Sequence, residues 1–377
     1  MASKTNQNLC RGMSVAALVL TACLTAKSHA AETSSVSTMK VGTEAQFTDI
    51  KTLCGTKKIR VALSVGAVNA HRQITHAELV DEAKKCPNIS EVGFANAEGN
   101  PEKEMANIRS LAAQGYDIIV VEPDSGAAAI PAMRDAMKAG AIVIAVEVGT
   151  NFPGKPGVDY TTIVTPNQEQ QASVWAQWIV DRLKGNGNVI IWGGAPGAPQ
   201  TAGQMVGWKK VFAANPGIKV LEGPVISNWD PAYYQKVTTA LLTKYPKIDA
   251  MYSDYGSGVL GALRAFKQAG RPLIPVTGLD SNGAQCFWLD TRQGEPNYQI
   301  GFTSAWTWID RVALRKGVAA FNGMNDPEPN IINVGMVADS SSSDPKLTPK
   351  CDPDLPTDAS LRSSKLTREQ LIAVFKK

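Results

Sequence analysis

Residues 100–147 read NPEKEMANIRSLAAQGYDIIVVEPDSGAAAIPAMRDAMKAGAIVIAVE, and the reading of this stretch decides the fold. Asn100 is a good N-cap, Pro101 suits a first helical position, and Met105, Ile108, Leu111 and Ala112 recur at helical spacing until Gly115 ends the run. Asp117 to Val121 is a short Ile/Val run without alternation, the pattern of a parallel strand buried on both faces, and Glu122-Pro123-Asp124 breaks it. The cycle then repeats. Ile130, Met133 and Met137 mark a helix that Gly140 ends, and Ala141 to Val146 is a second buried strand closing on Glu147. Open parallel sheets bind ligands outside the carboxyl ends of their strands, which puts Glu122, Asp124 and Glu147 where a small molecule docks.

The alternation extends in both directions. Upstream lie a strand over Ile59 to Val65, a helix over His76 to Lys85 and a strand over Glu91 to Ala95. Downstream, after the polar interval NFPGKPGVDYTTIVTPN, a helix opens at Thr165 to Asn167 and carries Trp175, Trp178, Ile179 and Leu183. Strands over Asn188 to Trp192, Ile218 to Leu221, Ile248 to Tyr252 and Leu273 to Leu279 follow, with helices between them. A second sheet on the same plan is the simplest account, so the fold class is α/β with two doubly wound parallel-sheet lobes. Tyr298 to Ser304 reads as a further strand and Trp306 to Phe321 as a helix. Thr367 to Gln370 forms a capping box before a last helix expected to dock on a lobe. Residues 32–56 are Ser/Thr-rich and weakly periodic, which predicts a mobile leader anchored by Cys54.

The first 31 residues carry Lys4 and Arg11, then the apolar run Met13 to Ala26, then Ser28-His29-Ala30-Ala31, the pattern of a secretory signal with a small-residue cleavage site. Leu20-Thr21-Ala22-Cys23 offers a competing lipobox-like reading that would anchor Cys23 in a membrane. Cleavage removes Lys4, Arg11 and Lys27 from 38 basic residues and none of the 34 acidic ones, so the mature charge is near +1. That argues against nucleic acid as a partner. Cys54, Cys86, Cys286 and Cys351 remain, an even count that in an exported chain suggests two disulfides. A helix returning antiparallel to the strand before it brings Cys86 beside Cys54, which leaves Cys286 for Cys351.

Catalytic and cofactor motifs find little support. Gly256-Ser-Gly258-Val-Leu-Gly261 matches a dinucleotide fingerprint, with Asp280 about 20 residues on. Against that reading, Ser253-Asp254-Tyr255 lengthen the turn and put bulk where a pyrophosphate would approach. No phosphate-binding G-x-x-x-x-G-K-[ST] loop and no G-x-S-x-G elbow occurs, and the two histidines beyond the signal, His71 and His76, have no acid or cysteine at metal spacing. The expectation is a non-enzyme with neither cofactor nor metal. What remains is a set of polar and aromatic residues at strand carboxyl ends. Asn69, His71, Arg72 and Glu147 come from the first sheet, and Gln200, Trp229, Asp254, Tyr255, Asp280 and Ser304 from the second. Carboxylates that accept from hydroxyls, a guanidinium fork and an indole face are the tools for a neutral polyhydroxy ligand. Trp229 as a core residue and Asp280 as a cap for the helix at Ser281 are the structural alternatives.

The chain resembles the ribose- and galactose-type periplasmic binding proteins, type I receptors of bacterial ABC importers. The likeness runs from about Lys57 to Val334 and is carried by GNPEKEMANIRSLAAQGYDIIVVEPDSGAA, SDYGSGVLGALRAFKQAG and PVTGLDSNG. The resemblance implies a monosaccharide or polyol held between two lobes, delivery to permease subunits, a periplasmic location and a monomeric receptor. It also implies three crossings, expected near Tyr160 to Thr165, at Ser304-Ala305 and near Asn333-Val334. Lobe 1 would hold residues 57–163 and 305–333, and lobe 2 residues 164–304 and 334–377. Carried over, the family's acid falls on Glu147, its stacking aromatic on Trp229, its polar ligand on Asp254 or Tyr255 and its late aspartate on Asp280. The pattern departs where Arg72 and Gln73 replace an aromatic pair, where Val148 replaces an arginine, and where Ala202 or Gln204 stands at a second arginine position. Those departures imply a sugar or sugar alcohol other than ribose. A receptor read by a chemoreceptor or sensor kinase is the alternative function, and a periplasmic enzyme the third.

Overall fold

A computed structural model describes residues 39–376 of the chain, so the signal segment and Cys23 lie outside the described residues. The first half gives β1 (Val41–Gly42), β2 (Ile59–Val65), α1 (Ala70–Ala83), β3 (Ile89–Asn96), α2 (Pro101–Ala113), β4 (Ile118–Glu122), α3 (Ile130–Lys138), β5 (Ile142–Val146) and β6 (Thr162–Pro166). The second gives α4 (Gln168–Arg182), β7 (Gly187–Gly193), α5 (Pro199–Ala213), β8 (Ile218–Ile226), α6 (Pro231–Lys244), β9 (Ala250–Ser253), α7 (Gly256–Gln268), β10 (Val276–Leu279), α8 (Asn282–Thr291) and β11 (Ile300–Thr303). The chain then adds α9 (Ile309–Asn322), β12 (Ile331–Ile332), β13 (Met336–Asp339) and α10 (Arg368–Phe375).

Two sheets result. One orders β1-β12-β6-β5-β4-β2-β3, all parallel, and the other β13-β11-β10-β9-β7-β8, with only β13 antiparallel. The Ile/Val runs of β2, β4 and β5 are buried on both faces, between α1 and α9 on one side and α2 and α3 on the other. In the second sheet, Trp175, Trp178, Trp208 and Phe212 cover one face, while Tyr234, Phe266 and Trp288 cover the other. Strand order reverses between β2 and β4 in the first sheet and between β7 and β9 in the second, so each has a switch point where the flanking loops part and leave a crevice.

Three crossings join the lobes, and the first lies later than the sequence suggests. Residues 162–166 pair as β6 with β5 and β12, so the chain leaves the first sheet at Asn167 instead of within 160–165. The Asn167 side chain caps α4 by accepting from Gln170 N and donates to Asn333 Oδ1 at 2.9 Å, while Gln170 bonds both N and O of Val334. Two crossings are thereby zipped side by side.

The expectation of a mobile leader is corrected for residues 39–56. β1 pairs with β12, Phe47 packs edge-on against Trp308, and Ile50 and Leu53 are buried in the first lobe's core. Weak periodicity hid this because the leader docks through a few scattered apolar side chains and a two-residue strand. The sulfurs of Cys54 and Cys86, and of Cys286 and Cys351, lie at disulfide distance, with Cα–Cα separations of 5.6 and 4.7 Å. α1 begins six residues before the expected His76, because Asn69 N-caps it by accepting from Arg72 N at 2.9 Å. The C-terminal segment is not confined to lobe 2. It leaves Cys351 on the second lobe and ends with Leu371 packed in one cluster with Ile74 of α1 on the first.

The glycines of the dinucleotide-like motif have a packing role. A Cβ on Gly258 would sit 2.4 Å from the Tyr234 ring, and one on Gly261 would sit 2.1 Å from Pro231 O, so both let α7 lie directly against α6.

Candidate functional site

The two switch points share one cavity of about 350 Å³, within the range of small-molecule sites. From the first lobe, α1 brings Asn69, His71 and Arg72, the end of β4 brings Asp124, and the end of β5 brings Glu147. Arg72 is buried and central. Its Nη1 meets Glu147 Oε2 at 2.8 Å and also pairs with Glu122, and its Nη2 approaches Asp124 Oδ1 at 3.3 Å. Glu147 takes two further bonds, from His71 Nε2 at 2.8 Å and from Trp306 Nε1 at 2.9 Å. Burial works against ionisation of Glu147, but Arg72 and then His71 outweigh it and hold the carboxyl down at about 2. Beneath Arg72, burial pushes the carboxyls of Glu122 and Asp310 up, the latter to about 6. One guanidinium cannot neutralise every acid packed around it.

The second lobe supplies Gln200 and Gln204 on α5, Asn228 and Trp229 after β8, and Asp254 and Tyr255 after β9. Trp229 Nε1 donates to Asp254 Oδ2 at 3.4 Å, and Thr201 Oγ1 donates to the same oxygen at 3.3 Å. The indole lies directly on Gly194, where an added Cβ would sit 2.1 Å from Cζ2. Burial pushes the Asp254 carboxyl up to about 7, although Trp229, Thr201 and the amides of Asp254 and Gly194 favour the ionised form. Asp254 Oδ1 has no hydrogen-bond partner among the described residues, and neither has Gln204 Nε2, whose Oε1 accepts from Tyr252 Oη. Two residues of the cavity lining thus each carry a buried polar atom, one acceptor and one donor, that the protein leaves unmatched, and such atoms are costly unless a ligand or water meets them.

Four residues of this wall adopt the left-handed backbone region without being glycine: Glu147 at φ 59°, Asn228 at 52°, Trp229 at 54° and Trp306 at 42°. Such conformations cost on the order of 1–3 kcal/mol each and persist where the surroundings over-determine them. Here the side-chain bonds on Glu147 and Trp306 supply that constraint.

Of the residues expected at the site, Asn69, His71, Arg72, Asp124, Glu147, Gln200, Gln204, Trp229, Asp254, Tyr255 and Asp280 line the cavity. Ser304 does not. It is buried at the crossing, where its hydroxyl accepts from Trp306 N and its carbonyl from Gln171 Nε2. Glu122, also placed at a strand end, lies wholly beneath Arg72. Asp280 lines the cavity with its carboxylate already occupied. Oδ1 accepts from Gln285 Nε2, and Oδ2 accepts from Arg362 N, Ser363 N and Ser363 Oγ. It does not cap α8, which Ser281 caps.

Sequence reasoning missed Trp306, Asp358 and Ser360. Trp306 reads as the first residue of a helix, yet it sits in the turn before α9, and only its left-handed backbone carries the indole to Glu147. Asp358 and Ser360 belong to the Ser/Pro/Asp-rich tail, where nothing local signals a site.

Two doubly wound lobes, joined by three crossings and enclosing a polar cavity at their switch points, define the type I periplasmic binding protein fold. The chain belongs to this family, since the periplasmic binding protein domain matches residues 61–305. A xylitol-binding protein of Mycolicibacterium smegmatis is 30% identical over 205 residues, which cover 54% of this chain and 56% of that relative. The match thus spans little more than half of the relative's length. A ribose import binding protein of Bacillus subtilis is 25% identical over 227 residues, covering 60% of this chain and 71% of that protein. Among solved structures, an ABC transporter periplasmic solute binding protein of Actinobacillus succinogenes with bound D-allose superposes with a TM-score of 0.62 at 23% identity, over 74% of this chain and 97% of that one.

Proposed function

We propose that the protein is a non-catalytic periplasmic receptor that captures a neutral monosaccharide or sugar alcohol between its lobes and delivers it to the permease of an ABC importer. The observation that carries this reading is the pair of unmatched buried atoms on two residues that line the cavity, Asp254 Oδ1 and Gln204 Nε2. A vicinal diol supplies both a hydrogen to the first and an oxygen to the second. Neutrality follows from the charges. The Arg72 guanidinium and the His71 ring of the wall both bond Glu147, while the acidic side chains of Asp124, Asp254 and Asp358 line the same space. A carboxylate or phosphate on the ligand would meet repulsion with no free partner. The Trp229 indole offers a flat face for the C–H side of the carbon skeleton. The xylitol, ribose and allose named for relatives and neighbours belong to the same chemical class.

Contacts from both lobes give the closed form an affinity that an open form lacks, and only such a difference shifts the equilibrium between them. Lobe 1 is read as residues 57–166 and 305–333 and lobe 2 as 167–304 and 334–363, with Asn167, Ser304-Ala305 and Asn333-Val334 absorbing the hinge rotation. A thermal-shift panel of xylitol, D-ribose, D-allose and myo-inositol, with gluconate and glucose 6-phosphate as anionic controls, tests the reading. A rise in melting temperature with at least one neutral compound and none with the anions is expected. Stabilisation by the anions alone would overturn it.

A further inference from the structure

We propose that the C-terminal tail is a third wall of the ligand cavity and that the Asp358 carboxylate is itself a ligand contact, accepting hydrogens from polyol hydroxyls. The proposal rests on the function proposed above and extends it to a segment outside the matched family domain. Asp358 and Ser360 line the cavity alongside the strand-end residues of both lobes.

The tail's backbone is fixed on the second lobe at several points. Cys351 joins Cys286, and the Asn282 side chain donates to Asp352 O at 2.8 Å and to Leu355 O at 3.1 Å. The residues on either side of Asp358 are held in turn. Gly283 N donates to Thr357 O and Asn282 N to Ala359 O, each at 2.8 Å. A side chain on Gly283 would sit 2.7 Å from Thr357 Cβ, so the close approach of tail to α8 needs glycine there. Just beyond, Asp280 Oδ2 takes Arg362 N at 2.6 Å and Ser363 N at 3.1 Å. The role of Asp280 follows from this: it holds the tail, and the tail presents the next carboxylate to the cavity.

That carboxylate is the one part of the arrangement without internal use. Asp358 makes no side-chain hydrogen bond or ion pair among the described residues, although its own peptide flanks are clamped. With the backbone on either side already clamped, only the torsions of the Asp358 side chain remain to be ordered when the ligand arrives. The tail then passes to the first lobe, where Ser364 Oγ and Lys365 N donate to Glu78 Oε1 and Gln370 Nε2 donates to Asp81 Oδ1. The third wall is therefore anchored on both sides of the cleft, and ligand recognition draws on three parts of the chain.

Calorimetry on Asp358→Ala and Asp358→Asn, titrated with whichever of xylitol, D-ribose, D-allose and myo-inositol stabilises the wild-type chain most, tests the assignment. Truncation should weaken binding tenfold or more, the amide variant should fall between it and the wild type, and the unliganded melting temperature should stay unchanged because the side chain holds nothing. Wild-type affinity in Asp358→Ala would overturn the third-wall assignment while leaving the receptor reading intact. A wild-type chain that binds none of the four compounds would overturn the receptor reading, and this one with it.

Discussion

Raising the pH from 6 to 8 should tighten ligand binding about tenfold, through Asp254. Its carboxyl titrates near 7 because it is buried, with one oxygen unmatched. If ligand hydroxyls donate to the ionised form, the apparent Kd equals the intrinsic one multiplied by 1 + 10^(pKa − pH). That factor is about 11 at pH 6 and about 1.1 at pH 8. The same titration acts on the unliganded chain with the opposite sense. The folded state holds a proton that the unfolded chain releases above its ordinary carboxyl range, so stability falls as the pH rises from about 4 to 7 and is flat beyond. A shift from 3.8 to about 7 is worth on the order of 4 kcal/mol at most. Asp280, pushed up to about 6 by burial, adds a smaller fall over pH 4 to 6. Calorimetric titration at pH 6, 7 and 8, paired with melting curves without ligand, measures both effects. Asp254→Asn should flatten the two pH dependences while leaving the contribution of Asp280 in place. Affinity that is flat or falling toward pH 8 in the wild type, or an unchanged slope in Asp254→Asn, would refute the argument.

Other outcomes follow from the same geometry. Gly194→Ala places a Cβ inside the Trp229 indole, so it should displace the ring and weaken ligand binding at least tenfold, read by calorimetry and by a change in tryptophan emission. Arg72→Met strands Glu147, Glu122 and Asp310 without their cation. It should destabilise the fold by about 3–5 kcal/mol in denaturant melts at pH 7.5, with partial recovery at pH 5 as the acids take up protons. Below about pH 4.5 the wild type should lose stability as Glu147, held near 2 in the fold, protonates in the unfolded chain first, and acid melts on Glu147→Gln should lack this component.

The architecture was legible because parallel strands buried on both faces leave unbroken runs such as Ile118 to Val121 and Ile142 to Val146, each bracketed within a few residues by Gly or Pro. The half of the candidate cavity lining that sits on strand ends was legible for a related reason: residues that follow a buried run in a doubly wound sheet have little choice but to face the crevice. Ser304 shows the limit of that rule, since its strand ends at a crossing and its hydroxyl is taken up by the turn. Trp306 needed a backbone angle that no periodicity encodes. Asp358 needed the contacts of a tail whose anchor residues, Cys286 and Asn282, lie about 70 positions away. The leader was misread because its pairing partner, Ile331-Ile332, follows nearly the whole fold in the chain. Long-range closure of this kind is set by the packed lobes.

A crystal structure with the best-stabilising neutral compound of the panel tests the central claim most directly. The account predicts one ligand between the lobes, with hydroxyls within 2.5–3.2 Å of Asp254 Oδ1 and Gln204 Nε2, its carbon face on Trp229, and Asp358 within hydrogen-bonding reach from the third side. A ligand bound outside this cavity, or one that leaves Asp254 Oδ1 and Gln204 Nε2 unmatched, would contradict it.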